Sequence, residues 1–247
     1  MSFSADGSLV ASCSGSIYVG GEDRSVRMWS VETGQELKKF LGHSGSVYGI
    51  DWSIDGLLAS CSNDYTVKIW NPSSSGECLK TLQGHSDYVR CVKFSPKGDT
   101  ILSGSDDRTL KIWDVTLGTC KATLEGHRYA VKKVEFSQDG ATLVSSNDNE
   151  TISWDVATGA RKDKVAGQLA VAKTEIGRYI VTKEDDLLFV YDTRVGANDG
   201  ADGKEKVLTA FFRAPSPITI VSCAGDKIAV CCQNFAVLTL HAAWLTD

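Results

Sequence analysis

The sequence lacks the usual signatures of a metal site, a secreted chain or a membrane protein. No two of its eight cysteines form a CxxC pair, the spacing that zinc sites commonly draw on. The N-terminal stretch MSFSADGSLVASCSGS has neither a basic region nor a long apolar region, and no run approaches the roughly 20 apolar residues of a membrane span. We therefore expect no metal, no cofactor and no membrane partner. We expect a cytoplasmic protein with reduced thiols, the nucleus being the alternative location.

The sequence also lacks an excess of basic residues. Lys and Arg number 26 against 31 Asp and Glu, which gives a net charge of −5. Proteins that bind nucleic acid usually neutralise phosphates with a basic surface, so we expect no nucleic-acid partner. The composition, 42% hydrophobic and 23% charged, is typical of a globular chain.

The chain does contain a strong internal repeat. The dipeptide Gly-His recurs at residues 42–43, 84–85 and 126–127, and Trp recurs at positions 29, 70, 113 and 154. A period of about 40 residues that accounts for the whole chain indicates a repeat architecture.

Each repeat predicts four short strands. In the third repeat the strands are centred on VKF (92–94), TILSGS (100–105), TLKIWD (109–114) and CKATL (120–124), with the turn residues SPKGD after the first. Alternating apolar residues and turns every 8–12 residues exclude a helical repeat. A four-stranded sheet of this size cannot bury both faces alone, so the units must stack, and radial stacking gives a propeller.

These residues resemble the WD-repeat β-propeller family. The fold class is thus predicted to be all-β, a β-propeller of four-stranded antiparallel blades with about six recognisable units, in an incomplete or open ring. Two of the units, 170–192 and 218–240, keep mainly the strand pattern, with Tyr191 at the Trp position of the former. A single domain over 1–247 is predicted, with units at roughly 1–42, 43–84, 85–126, 127–166, 167–205 and 206–247.

The two ends of the chain depart from this pattern. The chain starts at the tail end of a first strand, and the last residues leave little for a final outer strand. The first unit carries about seven extra residues, and Val19 sits where Ser is expected. We expect a truncated or partly misassembled chain, or one with more blades upstream.

One set of residues looks catalytic when it is seen once. His85, Ser103 and Asp107 are the residue types of a hydrolase, but a catalytic site is normally built once and this set recurs in three units. In WD-repeat proteins the matching residues and the Trp form a buried hydrogen-bonded network, and the resemblance implies the same here. In the fourth unit Ser145 lies one residue nearer to its Trp, which predicts a strained network. No residue is assigned as catalytic, and the network residues are His43, Ser60, Asp64, Trp70, His85, Ser103, Asp107, Trp113, His127, Asp148 and Trp154.

The resemblance also implies a docking surface. Partners of this family often dock on the rim around the central channel, where the Gly-His loops and the turns between second and third strands emerge. Exposed Tyr and Arg carry much of the energy of protein interfaces. The candidate rim residues are Arg24, Tyr48, Asn63, Tyr65, Tyr88, Arg90, Asp106, Arg108 and Lys132, and Asn147 occupies a matching turn.

The resulting hypothesis is a non-catalytic protein–protein interaction scaffold or adaptor that binds proteins or peptides, including within a multiprotein complex. Two alternatives stay open. The segment YDTR (191–194) resembles the Trp-Asp-x-Arg signature of substrate receptors of cullin ubiquitin ligases. The chain also fits the sensor or regulatory propeller of a larger nucleotide-dependent signalling protein. An enzyme would need a convergent polar pocket, which nothing outside the repeats supplies.

Overall fold

The chain folds as a series of small antiparallel β-sheets that follow one another in sequence. Every regular element in the described residues is a strand, and the chain divides into two compact units, Met1–Val134 and Glu135–Asp247. The computed structural model describes residues 1–13, 24–73, 76–137, 139–166, 168–171, 179–184, 187–192, 208–213, 218–224, 227–232 and 237–241, with side chains up to Lys164.

The first unit contains three four-stranded sheets, each formed by consecutive strands. Sheet 1 comprises β1 (Ser2–Phe3), β2 (Leu9–Cys13), β3 (Val26–Ser30) and β4 (Glu36–Phe40). Sheet 2 comprises β5 (Val47–Trp52), β6 (Leu58–Ser62), β7 (Val67–Trp70) and β8 (Cys78–Leu82). Sheet 3 comprises β9 (Val89–Phe94), β10 (Thr100–Ser105), β11 (Leu110–Asp114) and β12 (Cys120–Leu124).

The second unit repeats the same arrangement. Sheet 4 comprises β13 (Lys133–Phe136, which crosses the division), β14 (Thr142–Ser146), β15 (Glu150–Asp155) and β16 (Arg161–Ala166). Sheet 5 comprises β17 (Gln168–Val171), β18 (Tyr179–Glu184), β19 (Leu187–Asp192) and β20 (Leu208–Arg213), and sheet 6 comprises β21 (Ile218–Ala224), β22 (Lys227–Cys232) and β23 (Val237–His241). The prediction of an all-β chain of blade-like antiparallel sheets is therefore confirmed, while the single domain and the form of the ring stay predictions.

One unit boundary differs from the sequence prediction. Leu208–Arg213 pairs with β19 and completes sheet 5, although the sequence prediction placed it in the sixth unit, 206–247. The long Gly- and Asp-rich segment joins β19 to β20, so it lies inside the fifth repeat and not between repeats.

A local irregularity marks the Trp position in five of the sheets. The pairing of the third and fourth strands shifts register at Met28/Trp29, and the same shift recurs at each corresponding Trp. In sheet 5 the shift falls at Val190/Tyr191, which places Tyr191 at the Trp position, as its spacing predicts. A shift at a fixed position is typical of a β-bulge that the fold uses repeatedly.

The core of the first unit lies between consecutive sheets. Sheets 1 and 2 pack through Phe40 and Trp70, whose ring centroids are 5.7 Å apart. Sheets 2 and 3 pack through a second cluster of side chains that are at most 8% exposed. This second cluster comprises Ala59, Cys61, Val67, Ile69, Leu82, Val89, Val92, Phe94, Ile101, Trp113 and Val115.

The innermost strands β1, β5 and β9 are also joined by polar contacts. The carboxylate of Asp51 accepts the backbone N–H of Phe94 at 2.9 Å and pairs with the ammonium of Lys93 at 3.2 Å. The Trp52 indole N–H donates to the carbonyl oxygen of Ser2 at 3.1 Å. These bonds hold the three first strands of the sheets together at the end opposite the Gly-His loops.

Candidate functional site

The buried network of sheet 3 joins side chains from three elements. His85 precedes β9, Ser103 lies on β10 and Trp113 on β11, while Asp107 lies in the turn between those two strands. The His85 Nδ1 atom is 2.7 Å from Asp107 Oδ2, and its Nε2 atom is 2.7 Å from Ser103 Oγ. The Trp113 indole N–H donates to the same Ser103 oxygen at 2.8 Å.

These distances define a chain of donors and acceptors. An ionised carboxylate only accepts, so His85 Nδ1–H donates to Asp107. In the neutral tautomer with this proton, Nε2 accepts from the Ser103 hydroxyl, whose oxygen accepts from Trp113. A neutral imidazole satisfies every member. Burial disfavours the charged form of Asp107, but hydrogen bonds from His85 and Thr109 outweigh burial and hold the pKa of Asp107 well below its usual range.

Sheet 2 carries the same network in its own copy. His43 lies 2.7 Å from Asp64 Oδ2 and 2.8 Å from Ser60 Oγ, and Trp70 donates to Ser60 at 2.8 Å. The pKa of Asp64 is likewise low, because hydrogen bonds from His43 and Thr66 outweigh the opposing effect of burial. In both sheets the serine is fully buried and engaged by two neighbours.

The glycine before each network His is required by geometry. Gly84 has a φ of 152°, a backbone conformation that residues with a side chain rarely adopt. A Cβ atom at this position would lie 3.3 Å from the Trp113 ring. Gly42 has the same conformation against Trp70. A glycine is therefore needed before each of these histidines, because the backbone passes close to the network Trp.

Sheet 1 shows that the serine was misassigned in the first unit. The sequence prediction placed Val19 at this position, whereas Ser12 on β2 accepts the Trp29 indole N–H at 2.8 Å. Ser12 pairs with Arg27, two residues before Trp29, just as Ser103 pairs with Lys111, two residues before its own Trp. Ser12 precedes Trp29 by 17 residues, whereas Ser103 precedes Trp113 by 10, so the extra residues lie between Ser12 and Trp29 in the sequence.

Sheet 4 keeps the ladder and shortens the turn. Ser145 accepts the Trp154 indole N–H at 2.8 Å and pairs with Ile152, again two residues before the Trp. The shorter spacing that predicted strain is thus absorbed by the turn. The buried side-chain oxygen of Asn147 accepts two turn N–H groups, at 2.9 and 3.0 Å, while Asp148 is exposed.

His127, which precedes sheet 4 and was predicted to belong to its network, is 7% exposed. Asn147, which the sequence placed on the rim, is only 1% exposed. It is therefore part of the turn's internal hydrogen bonding and not of a docking surface. The sequence offered one signal for this role: Asn and Asp in turns often bind the backbone N–H group two residues later, as Asn147 does with Asn149.

Three turns between second and third strands share an unusual backbone conformation. Arg24, Tyr65 and Arg108 have φ values of 50°, 69° and 70°, and each lies five residues before the Trp of its sheet. Residues other than Gly, Asn and Asp adopt this backbone conformation at a cost of roughly 1–3 kcal/mol. The turns nevertheless carry large exposed side chains at this position.

An aromatic group lies at the same end of sheets 2 and 3, and we call it the rim cluster: Tyr48, Tyr65, Tyr88, Arg90 and Asp106. The Tyr88 ring centroid is 5.8 Å from that of Tyr65 and 6.3 Å from that of Tyr48. The Arg90 guanidinium carbon lies 4.6 Å from the Tyr48 centroid and 5.3 Å from that of Tyr88.

Arg90 is fixed by a bidentate ion pair. Its Nε donates to Asp106 at 2.8 Å, and its Nη2 donates to the same carboxylate. These hydrogen bonds raise the pKa of Arg90 above its ordinary value despite partial burial. Tyr65 and Tyr88 remain 44% and 36% exposed, so the ion pair orders a surface that still faces solvent.

The other predicted rim residues are less tightly organised. Asn63 is half-buried and packs its side-chain oxygen against Gly45, while Lys132 and Arg24 are exposed. In the YDTR segment, residues 193–194 lie outside the described residues, so the cullin-receptor signature is not described by the structure.

Two further observations concern metals and membranes. Among the described residues, no group of three or more His, Cys, Asp or Glu is arranged to hold a metal ion, and the five cysteines whose side chains are described are free thiols. A search of the same residues finds no helix with the length and apolar character needed to span a membrane.

These repeats match a known protein family and resemble part of several known proteins. The family model described as "WD domain, G-beta repeat" matches residues 1–30, 34–71, 76–114 and 118–155, more than half of the chain. The nuclear distribution protein nudF of Aspergillus flavus is 37% identical over 104 residues, which are 41% of this chain and 23% of that protein. Nuclear distribution protein nudF 1 of Talaromyces marneffei is 39% identical over the same length.

The nuclear distribution protein PAC1 of Gibberella zeae is 37% identical over 112 residues, 41% of this chain and 24% of that protein. The alignments thus span only about a quarter of these relatives. Each family-model match ends one residue after a Trp that donates to a network serine. The chain belongs to the WD-repeat family.

Proposed function

We propose that this chain is a non-catalytic interaction scaffold that binds protein or peptide partners at the rim cluster. The observation that carries the proposal is the group of three tyrosines ordered around an Arg–Asp ion pair. Tyrosine and arginine are enriched among the residues that dominate binding energy, and ordering before binding lowers its entropic cost.

The state of the serines supports a non-catalytic role. Ser60 and Ser103 are fully buried, and each hydroxyl is held between a Trp and a His. A nucleophile must reach its substrate and lie beside an oxyanion site. The His, Ser and Asp of these sheets therefore fasten the blade, and the exposed tyrosines beside them are the better candidates for contact with a partner.

The relatives support the scaffold class in a limited way. They are named nuclear distribution proteins, and the aligned segment is a small part of each. We therefore carry over only the repeat fold from them. On the chemistry of the rim cluster, we place the partners among proteins or peptides, including members of a multiprotein complex.

The test is affinity capture of the full chain from cell extract with quantitative mass spectrometry. Tyr88→Ala removes the central ring of the cluster, and Tyr65→Asn removes the outer ring while keeping a residue that tolerates positive φ. We expect the specific partner to fall by about tenfold in each variant, the loss typical of an aromatic hot spot.

The matched control is Ile54→Ala, which truncates a side chain 64% exposed in the β5–β6 turn at the opposite end of sheet 2. It should retain the partner. Tyr88→Ala and Ile54→Ala should keep the melting temperature of the parent chain, and Tyr65→Asn should not lower it, because Asn tolerates positive φ. Equal capture by Tyr88→Ala and the parent chain would reject the rim cluster as the docking surface.

A further inference from the structure

Arg24, Tyr65 and Arg108 form a row of equivalent positions. Each is the fifth residue before the Trp of its sheet, each has positive φ, and each is exposed. Sheets 1, 2 and 3 pack against one another in that order. The three residues therefore project from consecutive blades at the end that carries the rim cluster, and we call them the Arg–Tyr–Arg row.

The two arginines of the row differ from the charged groups around them. Asp106 is paired with Arg90, and Asp107 accepts from His85. In the described part of the chain, neither Arg24 nor Arg108 has a hydrogen bond or an ion pair from its side chain. Asp87 accepts the backbone N–H of its neighbour Tyr88 at 2.7 Å.

We infer that the Arg–Tyr–Arg row binds an extended acidic peptide segment, whose carboxylates pair with Arg24 and Arg108 and whose apolar or aromatic side chain rests on Tyr65 and Tyr88. This inference rests on the proposed function and names the chemistry of its partner. A guanidinium presents a planar fork of donors that matches a carboxylate, and an exposed tyrosine offers an apolar face.

The backbone supports a role for these side chains in binding. Gly or Asn would occupy the positive-φ position without strain, yet the three turns carry two arginines and a tyrosine. Strain that recurs at an exposed position points to use of the side chain. The contrast in charge also fits, because these two guanidiniums, which have no side-chain partner among the described residues, belong to a chain with a net charge of −5.

A nucleic acid is the less suitable occupant. Binding to phosphates draws on many Lys and Arg contacts, whereas the row offers two guanidiniums with Asp87 and Asp106 close to Tyr88 and Arg90. Two charges separated by an aromatic residue suit an extended peptide that carries an acidic, an apolar and an acidic residue at every second position, since alternate side chains of an extended segment share one face.

The experiment is fluorescence anisotropy with the full chain and labelled peptide pools of about eight residues. Every second position of these peptides reads Asp or Glu, then Phe, Leu or Tyr, then Asp or Glu, with Gly at the positions between. Matched pools carry Lys or Ser in place of the acidic residue, and a labelled single-stranded oligonucleotide is a separate arm. We expect preferential binding of the acidic pool, which weakens as salt rises from about 0.05 M to about 0.5 M.

Arg24→Gln and Arg108→Gln should each weaken that binding by about threefold to tenfold, because each removes one exposed charge pair while keeping a long polar side chain. The matched control is Lys97→Gln, which removes an exposed charge from the β9–β10 turn at the opposite end of sheet 3. It should leave the affinity unchanged.

Three results would overturn the inference: equal binding of the acidic, Lys and Ser pools, equal weakening by Lys97→Gln and Arg108→Gln, or Arg-dependent binding of the oligonucleotide in preference to the peptides. If Tyr88→Ala loses its captured partner while the acidic pool fails to bind, the acidic chemistry alone is wrong. If the acidic pool binds in an Arg-dependent way but Tyr88→Ala and Tyr65→Asn keep every partner, the rim cluster is wrong.

Discussion

Sheets 1 and 3 contain the same Trp–Ser hydrogen bond in different surroundings. Both bonds are 2.8 Å long, and in both sheets the serine pairs with the residue two before the Trp. In sheet 3 Ser103 and Trp113 are almost fully buried, whereas Ser12 and Trp29 are half-buried. The ladder fixes which atoms meet, and burial decides how much their bond stabilises the protein, because water can replace a lost partner only where it has access.

Replacing the two serines should give the largest difference between the sheets. Ser103→Ala removes the partner of both Trp113 and His85, and an orphaned buried group costs about 1–3 kcal/mol. Ser12→Ala removes a part-buried bond and should cost about 0.5–1 kcal/mol. Urea-induced unfolding of the three chains measures both losses, and equal losses would show that burial does not separate the two bonds.

Acid should weaken sheet 3 through Asp107, the carboxylate that accepts a hydrogen bond from His85 in its network. The pKa of Asp107 is lower in the folded than in the unfolded chain, so its stabilising effect is present above the unfolded value of about 4 and is lost as pH falls below it. Asp107→Asn should cost about 1–2 kcal/mol at neutral pH and flatten the loss of stability below about pH 4.

The control for this pH profile is Asp6→Asn in sheet 1. Hydrogen bonds from Ser4 and Ser8 lower the pKa of Asp6 to about 2, but this carboxylate is fully exposed. Its replacement should change the acid limb of the unfolding curve much less than Asp107→Asn does. A profile unchanged in Asp107→Asn would mean that the network carboxylate does not control acid stability.

The smallest expected effect is a gain in stability that should be equal in sheets 1 and 3. Arg24→Gly and Arg108→Gly relieve the same positive-φ conformation, but Gly also loses more backbone entropy on folding. Each should therefore raise the free energy of unfolding by only about 0.5–1 kcal/mol. Thermal and urea unfolding measure the gain, with Arg→Gln at each site as the matched control that keeps a side chain. A gain in one sheet alone would show that the two turns are not equivalent.

The sequence was most informative where the repeat spacing was constant. The recurring Gly-His and Trp positions indicated which strands would form and which side chains would meet in sheets 2 and 3. It misled where a connection changed length. Counting back from Trp29 gave Val19, because the count assumed a constant turn, while Ser12 holds its place through the backbone pairing of β2 with β3.

In the fourth repeat a connection is shorter, where in the first repeat it is longer, and the register of the serine is again kept. Its turn is one residue shorter, which suggested a strained network, yet Ser145 keeps its register and its 2.8 Å bond to Trp154. Asn147 takes over the capping of the turn and is buried there, so a position that looked like rim is internal. Strand register is set by pairing and core packing, and turns absorb changes in length.

The sequence by itself determined the all-β repeat, its family and the residue types of the fastening network, because period-2 patterning and spacing are local properties of the chain. Only the tertiary structure decided which serine serves each Trp, how Arg90 is held between Asp106 and two tyrosine rings, and that Arg24, Tyr65 and Arg108 share one strained conformation. These features depend on register, on burial and on contacts between neighbouring sheets, which no single repeat contains.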